Sequence, residues 1–224
     1  MSLKIFKLCF YLFLAFLIVL FYTKNLNIFG NKFYKNIKNI DNPDDINVLV
    51  NKNNKLSQNY IPSDLIMLNR KYANEYKYMR EVAATNFEKL SEDAYKLGYK
   101  IIAVSTYRSY SYQEELFNSY VKNKGEEYAL KCSAKAGHSE HQTGLAVDVM
   151  GSNNDYDEFE SSLEFEWMKN NAHKYGFILR YPKDKTKITG FKYEPWHYRY
   201  VGDIAEYLYK NNLTLEEYKK KFTK

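Results

Sequence analysis

Four side chains in this sequence could together hydrolyse a bond. His141 and Asp148 stand seven residues apart in the run from Gly137 to Asp148, Gly-His-Ser-Glu-His-Gln-Thr-Gly-Leu-Ala-Val-Asp, and Glu194 and His197 bracket Pro195-Trp196 far downstream. Two imidazoles and one carboxylate suit a zinc ion that keeps its fourth position open for water. The metal lowers the pKa of that water toward roughly 7, so a carboxylate can take its proton near neutrality and hand it to a leaving amine. His141, Asp148 and His197 are therefore the candidate ligands and Glu194 the candidate base. The set implies a zinc peptidase.

Each assignment rests on local chemistry. Asp148 follows Gly144-Leu145-Ala146-Val147, and a carboxylate among apolar neighbours is costly unless paired or bound to metal. Pro195 makes a strand entry or bulge that can turn Glu194 and His197 toward one cavity. Arg108 follows a strand pattern and could hold a substrate carboxylate or steady a developing oxyanion. Ser139 and Gln113 could hydrogen-bond a peptide end. Should Glu194 not carry the proton, Glu140 is the nearest alternative by sequence. His138 reads as a loop residue, His173 as a helix residue, and Trp196 as packing beside the metal.

Elements must hold these residues in place, and the patterns point to an α+β domain. Apolar positions at helical spacing predict a helix over Tyr72–Leu97 with Gly98 as its stop. Strands are expected at Ile46–Val50, Ile101–Ser105, Ala146–Val149, Phe177–Arg180 and Trp196–Tyr200. Capping-box pairs Ser111/Glu114, Ser161/Glu164 and Thr214/Glu217 open three further helices, and a short one is expected over Glu126–Lys131. Early helices, later short strands and no regular strand–helix alternation argue for a small, mainly antiparallel sheet flanked by helices.

The N-terminus is different in kind. Lys4 and Lys7 precede an uninterrupted apolar and aromatic run from Leu8 to Tyr22, which reads as a signal anchor or transmembrane segment over residues 1–23. No small-residue cleavage site follows it, so retention is expected, with secretion after cleavage as the alternative. Residues 24–46, rich in Asn and Lys, read as a polar tether, leaving 47–224 as the catalytic domain, outside the cytoplasm. The charge of +6 is modest and no compact basic-aromatic motif accompanies it, so nucleic acid is not an expected partner. Cys9 and Cys132 do not make a disulfide framework. The 23 Tyr suit a large, partly polar binding surface.

Several ordered motifs carry a family resemblance: Leu49-Val50-Asn51-Lys52, Tyr107-Arg108-Ser109-Tyr110, Ser139 to Asp148, Tyr175 to Pro182, and Glu194-Pro195-Trp196-His197. Together they resemble the VanY-like D-alanyl-D-alanine carboxypeptidases, zinc enzymes that share a fold with Hedgehog-type domains. The resemblance covers most of residues 47–210. It implies zinc on His141, Asp148 and His197, Glu194 as general base, and Arg108 at the substrate carbonyl. It also implies peptidoglycan stem peptides ending in D-Ala-D-Ala as substrates; the membrane is an expected partner through the N-terminal run, and a monomer is expected. Ala136 departs from the pattern, which often has proline there.

Other readings make different demands. An L,D-carboxypeptidase or a peptidoglycan endopeptidase would use the same scaffold, and a non-catalytic wall-binding module would be expected to have lost Glu194 or a ligand. Ser119-Tyr120-Val121-Lys122 matches the S-x-x-K of penicillin-binding serine peptidases, but no S-D-N is present and Lys187-Ile188-Thr189-Gly190 is one residue too long for K-T-G. The absence of H-E-x-x-H excludes a zincin.

Overall fold

The computed structural model describes residues 10–18, 33–152 and 155–222. Residues 1–36 and Ile37–Lys224 form separate units. In the first, residues 10–18 are helical and expose apolar side chains such as Phe10 and Leu12. The remainder of the expected membrane span lies outside the described residues. Among those described, no helix is long and apolar enough to cross a membrane.

The second unit is α+β. Its strands are β1 (Lys38–Asn39), β2 (Asn54–Lys55), β3 (Leu65–Met67), β4 (Tyr78–Arg80), β5 (Ile102–Ser105), β6 (Ala146–Met150), β7 (Phe177–Leu179) and β8 (His197–Tyr200). The helices that matter here are α1 (Glu81–Lys96), α2 (Tyr110–Lys124) and α3 (Glu126–Cys132). After them come α4 (Tyr156–Phe159), α5 (Leu163–Asn171), α6 (Thr186–Thr189), α7 (Ala205–Lys210) and α8 (Leu215–Phe222). The central sheet has four strands in the order β5-β6-β8-β7, and every neighbouring pair is antiparallel.

Strand alternation explains why this sheet can hold both a core and a polar site. On β6, Val147 and Val149 enter the main core, as do Tyr198 and Tyr200 on β8. Asp148, His197 and Arg199 occupy the other parity, and cross-strand register sets Asp148 opposite His197. Helix α1 covers the core face with Ala83, Ala84, Phe87, Leu90 and Ala94, all fully buried. Phe87 meets Phe177 edge to face at 6.1 Å. Burying a side chain of that size stabilises the fold by about 1.5–3 kcal/mol.

Four expectations about elements are corrected. Tyr72–Arg80 is not the start of a helix: Tyr78–Arg80 pairs with Leu65–Met67 in a two-stranded ribbon, and α1 begins at Glu81. Arg80 N donates to Gly144 O, a long-range bond that local helical spacing could not reveal. Ile46–Val50 is not a strand, because the carbonyls of Ile46 and Val48 accept from the Arg199 guanidinium instead of from a neighbouring strand. Helix α2 is capped by Ser109, whose hydroxyl accepts from Tyr112 N, two residues before the expected cap. Finally, α5 is capped by Ser162, whose hydroxyl accepts from Phe165 N, and not by Ser161, because Glu164 is drawn to Ser152 instead of closing a box. The Thr214/Glu217 box closes as expected, with Glu217 N donating to Thr214 Oγ1 and Thr214 N to Glu217 Oε2.

Residues 37–46, read from composition as the end of a tether, belong to the compact unit. Lys38 and Ile40 donate backbone hydrogen bonds to Asn53 and Lys55, and Ile40 packs on the Val48/Val50/Leu56 cluster.

Candidate metal centre

The site is assembled from a tight turn, two adjacent strands and the loop after β5. A 3-10 turn over Glu140–Thr143 presents His141, capped by Ser139, whose hydroxyl accepts from His141 N at 3.4 Å. Gly144 ends the turn at φ +67, where a Cβ would stand 2.8 Å from Leu65 Cδ2 and 3.3 Å from Arg80 N. Only glycine lets the turn lie against the β3–β4 ribbon. The chain then runs into β6 and delivers Asp148 opposite His197 on β8.

His141, Asp148 and His197 are all buried, and one ligand atom from each can be chosen so that all lie within 4.8 Å of one another. Nε2 of His141 is 3.3 Å from Asp148 Oδ2, and Nδ1 of His197 is 2.8 Å from Asp148 Oδ1. Nδ1 of His141 faces the Thr106 carbonyl at 2.6 Å, so its proton belongs there and the Nε2 lone pair points inward. That Nε2 is buried with no hydrogen-bond partner among the described residues. An orphaned imidazole nitrogen aimed at a carboxylate and a second imidazole is what a zinc ligand looks like without its ion, since tetrahedral zinc sets its ligand atoms roughly 3.3 Å apart. The donor set fits zinc.

The electrostatics agree with a cation site. Burial raises the proton affinity of Asp148, but the imidazoles of His141 and His197 outweigh it and hold the carboxyl well below its usual range. Burial and the Arg108 charge push His141 down to about 4. Burial also opposes a charge on His197, yet the carboxylates of Asp148 and Glu140 facing its ring lift it to about 9. Glu194 moves up to about 7, chiefly through burial; His197 pulls it down and Asp148 pushes it up. A carboxyl near neutrality beside a water site can both accept and return a proton.

All seven expected site residues line one cleft of about 800 Å³: Arg108, Gln113, Ser139, His141, Asp148, Glu194 and His197. Arg108 Nη2 lies 3.3 Å from Asp148 Oδ2, and its Nη1 donates to Gln113 Oε1 at 3.0 Å. Gln113 is almost fully buried and its amide nitrogen is committed to Ala134 O and Ser133 Oγ. It therefore reaches the cleft chiefly by fixing Arg108. Ser119 and Lys122 sit exposed on α2, where Asn123 donates to the Ser119 hydroxyl, so the S-x-x-K match lies outside the cleft. His138 binds the Asn51 carbonyl at 2.8 Å and His173 stacks on Tyr209 at 3.7 Å, away from the metal set.

Sequence reasoning missed several parts. The ring of Tyr181 stacks on His197 with centroids 4.8 Å apart, and Tyr156 meets Trp196 edge to face at 5.0 Å. Tyr181 lies within a quoted motif, so its place was signalled but not its partner. The buried cluster of Glu140, Arg180 and Arg199 was missed altogether. Charged residues alternating with tyrosines on β8 were the available signal.

Comparison with known proteins adds an independent line. The family model described as VanY, D-alanyl-D-alanine carboxypeptidase, matches residues 76–203. YodJ of Bacillus subtilis (strain 168), a protein named only as a carboxypeptidase, is 43% identical over 208 residues, 87% of this chain and 76% of its own length. Among solved structures, the LdcB LD-carboxypeptidase matches with a TM-score of 0.78 and 44% identity, over 84% of this chain and 91% of that one. A mutant of the D,D-pentapeptidase VanY from a VanB-type resistance cassette, in complex with Zn(II), matches with a TM-score of 0.67 and 33% identity, over 77% and 97%.

Proposed function

This chain belongs to the VanY D-alanyl-D-alanine carboxypeptidase family and is a zinc metallopeptidase; from that premise we propose that it removes the terminal D-Ala of peptidoglycan stem peptides, with D-Ala-D-Ala ends as substrate. One observation carries the reading: Asp148 and His197 face each other across β6 and β8 with His141 against the same carboxylate, and Glu194 opens into the cleft they share.

His141, Asp148 and His197 would hold the ion. When bound, zinc supplies a Lewis acid that polarises a carbonyl and acidifies a water. Glu194 takes the proton of the attacking water as its oxygen adds to the peptide carbonyl carbon. The same carboxyl then returns a proton to the amine of D-Ala as the C–N bond breaks. Arg108, clamped by Gln113, directs its guanidinium at the carbonyl oxygen or the terminal carboxylate, and Ser139 lines the cleft as a further hydrogen-bonding group. Burial of Glu194 places its proton affinity where both transfers are feasible near neutrality. Its retention, with all three ligands, speaks against a wall-binding module.

Specificity at the penultimate residue is the finer question. The greater likeness to the LD-carboxypeptidase than to the D,D-pentapeptidase favours a second reading, cleavage of the L,D bond of a tetrapeptide. One methyl or methylene contact is worth only about 1–3 kcal/mol, so few contacts separate the two specificities. Incubation with penta- and tetrapeptide muropeptides, with products identified by mass, decides between them. Loss of one Ala from the pentapeptide alone supports D,D cleavage, and loss from the tetrapeptide alone supports L,D cleavage. Cleavage within cross-links would make it an endopeptidase.

Such a substrate lies outside the cytoplasm, so we place the catalytic unit there, held at the membrane by residues 1–23 with 24–36 as the tether. N-terminal sequencing of the mature protein tests this: a start near Lys24 or later would replace the anchor with a secreted form.

A further inference from the structure

We propose that Glu140 is a positioning residue for the metal ligand His197, fixing its ring so that Nδ1 and not Nε2 is offered to the ion. The inference rests on the zinc reading above. Glu140 is almost wholly buried, and a carboxylate there costs several kcal/mol unless it is compensated. Compensation is provided on one side only. Oε1 accepts from Arg180 Nε at 2.8 Å and from Arg199 Nη1 at 2.9 Å. Oε2 accepts from neither, and it stands 3.5 Å from His197 Nε2. Among the described residues, neither of these two atoms has another hydrogen-bond partner.

The geometry therefore sorts the two oxygens by task. The arginines fix the carboxylate and neutralise it through Oε1, while Oε2 is left to accept the Nε2 proton of His197. A neutral imidazole that donates from Nε2 has its lone pair on Nδ1, and Nδ1 is the nitrogen that faces Asp148 Oδ1 at 2.8 Å. His141 is wired in the opposite sense, with Nδ1 held by the Thr106 carbonyl. The arginines are themselves anchored beyond the site. Arg180 makes two parallel bonds to Glu216 on α8, and Arg199 Nη2 donates to the carbonyls of Ile46 and Val48. Glu140 is thus excluded as the proton carrier: one oxygen is saturated and the other is turned to a ligand ring. Carboxylates behind metal-bound histidines set tautomer and basicity, and their removal typically costs about 10–100-fold in metal affinity.

The test compares zinc affinity of the full-length chain, by competition with a chelator, for wild type, Glu140→Gln and Glu216→Gln. Glu140→Gln is expected to bind zinc about 10–100-fold more weakly. Glu216→Gln, which loosens the outer ion pair but not the contact to His197, is expected to lower Tm and leave zinc affinity unchanged. A merely structural Glu140 would lower Tm in the same way with affinity intact, and that result overturns the proposal. Nitrogen NMR of zinc-loaded wild type, labelled at histidine, decides the matter even if Glu140→Gln does not fold. His197 should show a metal-bound Nδ1 and a protonated Nε2, and a metal-bound Nε2 overturns the inference. Wild type that takes up no zinc would instead sink the metal assignment itself, and this inference with it.

Discussion

His141 and His197 approach Asp148 through opposite ring nitrogens: Nε2 of His141 lies 3.3 Å from Oδ2 and Nδ1 of His197 lies 2.8 Å from Oδ1. Each oxygen of one carboxylate thus faces one imidazole, and the two rings meet edge to face at 4.9 Å. A cation held by these three residues would give the orphaned Nε2 of His141 a partner.

Removal of any one of these three leaves a site with too few protein ligands. His141→Ala, Asp148→Ala and His197→Ala are each expected to lose most bound zinc, measured by elemental analysis after dialysis. Retention of one zinc per chain in all three variants would show the ligand assignment to be wrong.

Glu194→Gln separates binding from chemistry. The amide keeps size and hydrogen-bonding capacity but cannot accept a proton. Zinc content and KM should stay close to those of wild type while kcat falls by at least about a hundredfold. Zinc loss in this variant would place Glu194 among the ligands instead.

The pH profile should carry the Glu194 signature. In the cation-free site burial holds this carboxyl at about 7. A bound cation favours the charged form and lowers that value. The ionised form is the base, so kcat/KM should be full above this pKa and fall as pH drops through it. The limb is expected between the ordinary carboxylate value of about 4.3 and about 7. A profile flat across that interval would count against Glu194 as the base.

Truncation should distinguish the tether from the packed segment. A chain beginning at Ile37 keeps the backbone bonds of Lys38 and Ile40 and the Ile46 carbonyl that accepts from Arg199. One beginning at Asn47 loses all three, at about 0.5–1.5 kcal/mol for each hydrogen bond. It should melt lower by roughly 3 °C or more, given about 2–4 °C per kcal/mol at this size. Equal melting temperatures by calorimetry would return residues 37–46 to the tether.

What the sequence determined by itself was local. Residue type and spacing singled out His141, Asp148, Glu194 and His197, because a carboxylate in an apolar run and a proline between a carboxylate and an imidazole are anomalies visible without coordinates. The glycine stops at Gly98 and Gly176 and the Thr214/Glu217 cap were legible for the same reason, since each is decided within one turn of chain. The apolar pattern over Tyr72–Leu97 was legible only in part: its second half is α1, while its first half is drawn into a ribbon by bonds to Leu65–Met67 and Gly144. Tertiary structure alone decided which nitrogen of each histidine faces inward. That choice depends on the Thr106 carbonyl, 35 residues from His141, and on Glu140, which is held by Arg180 and Arg199. Charged residues read as surface in a linear pattern. They are buried here because opposite charges arrive from separate strands, and only the folded chain brings them within hydrogen-bond reach.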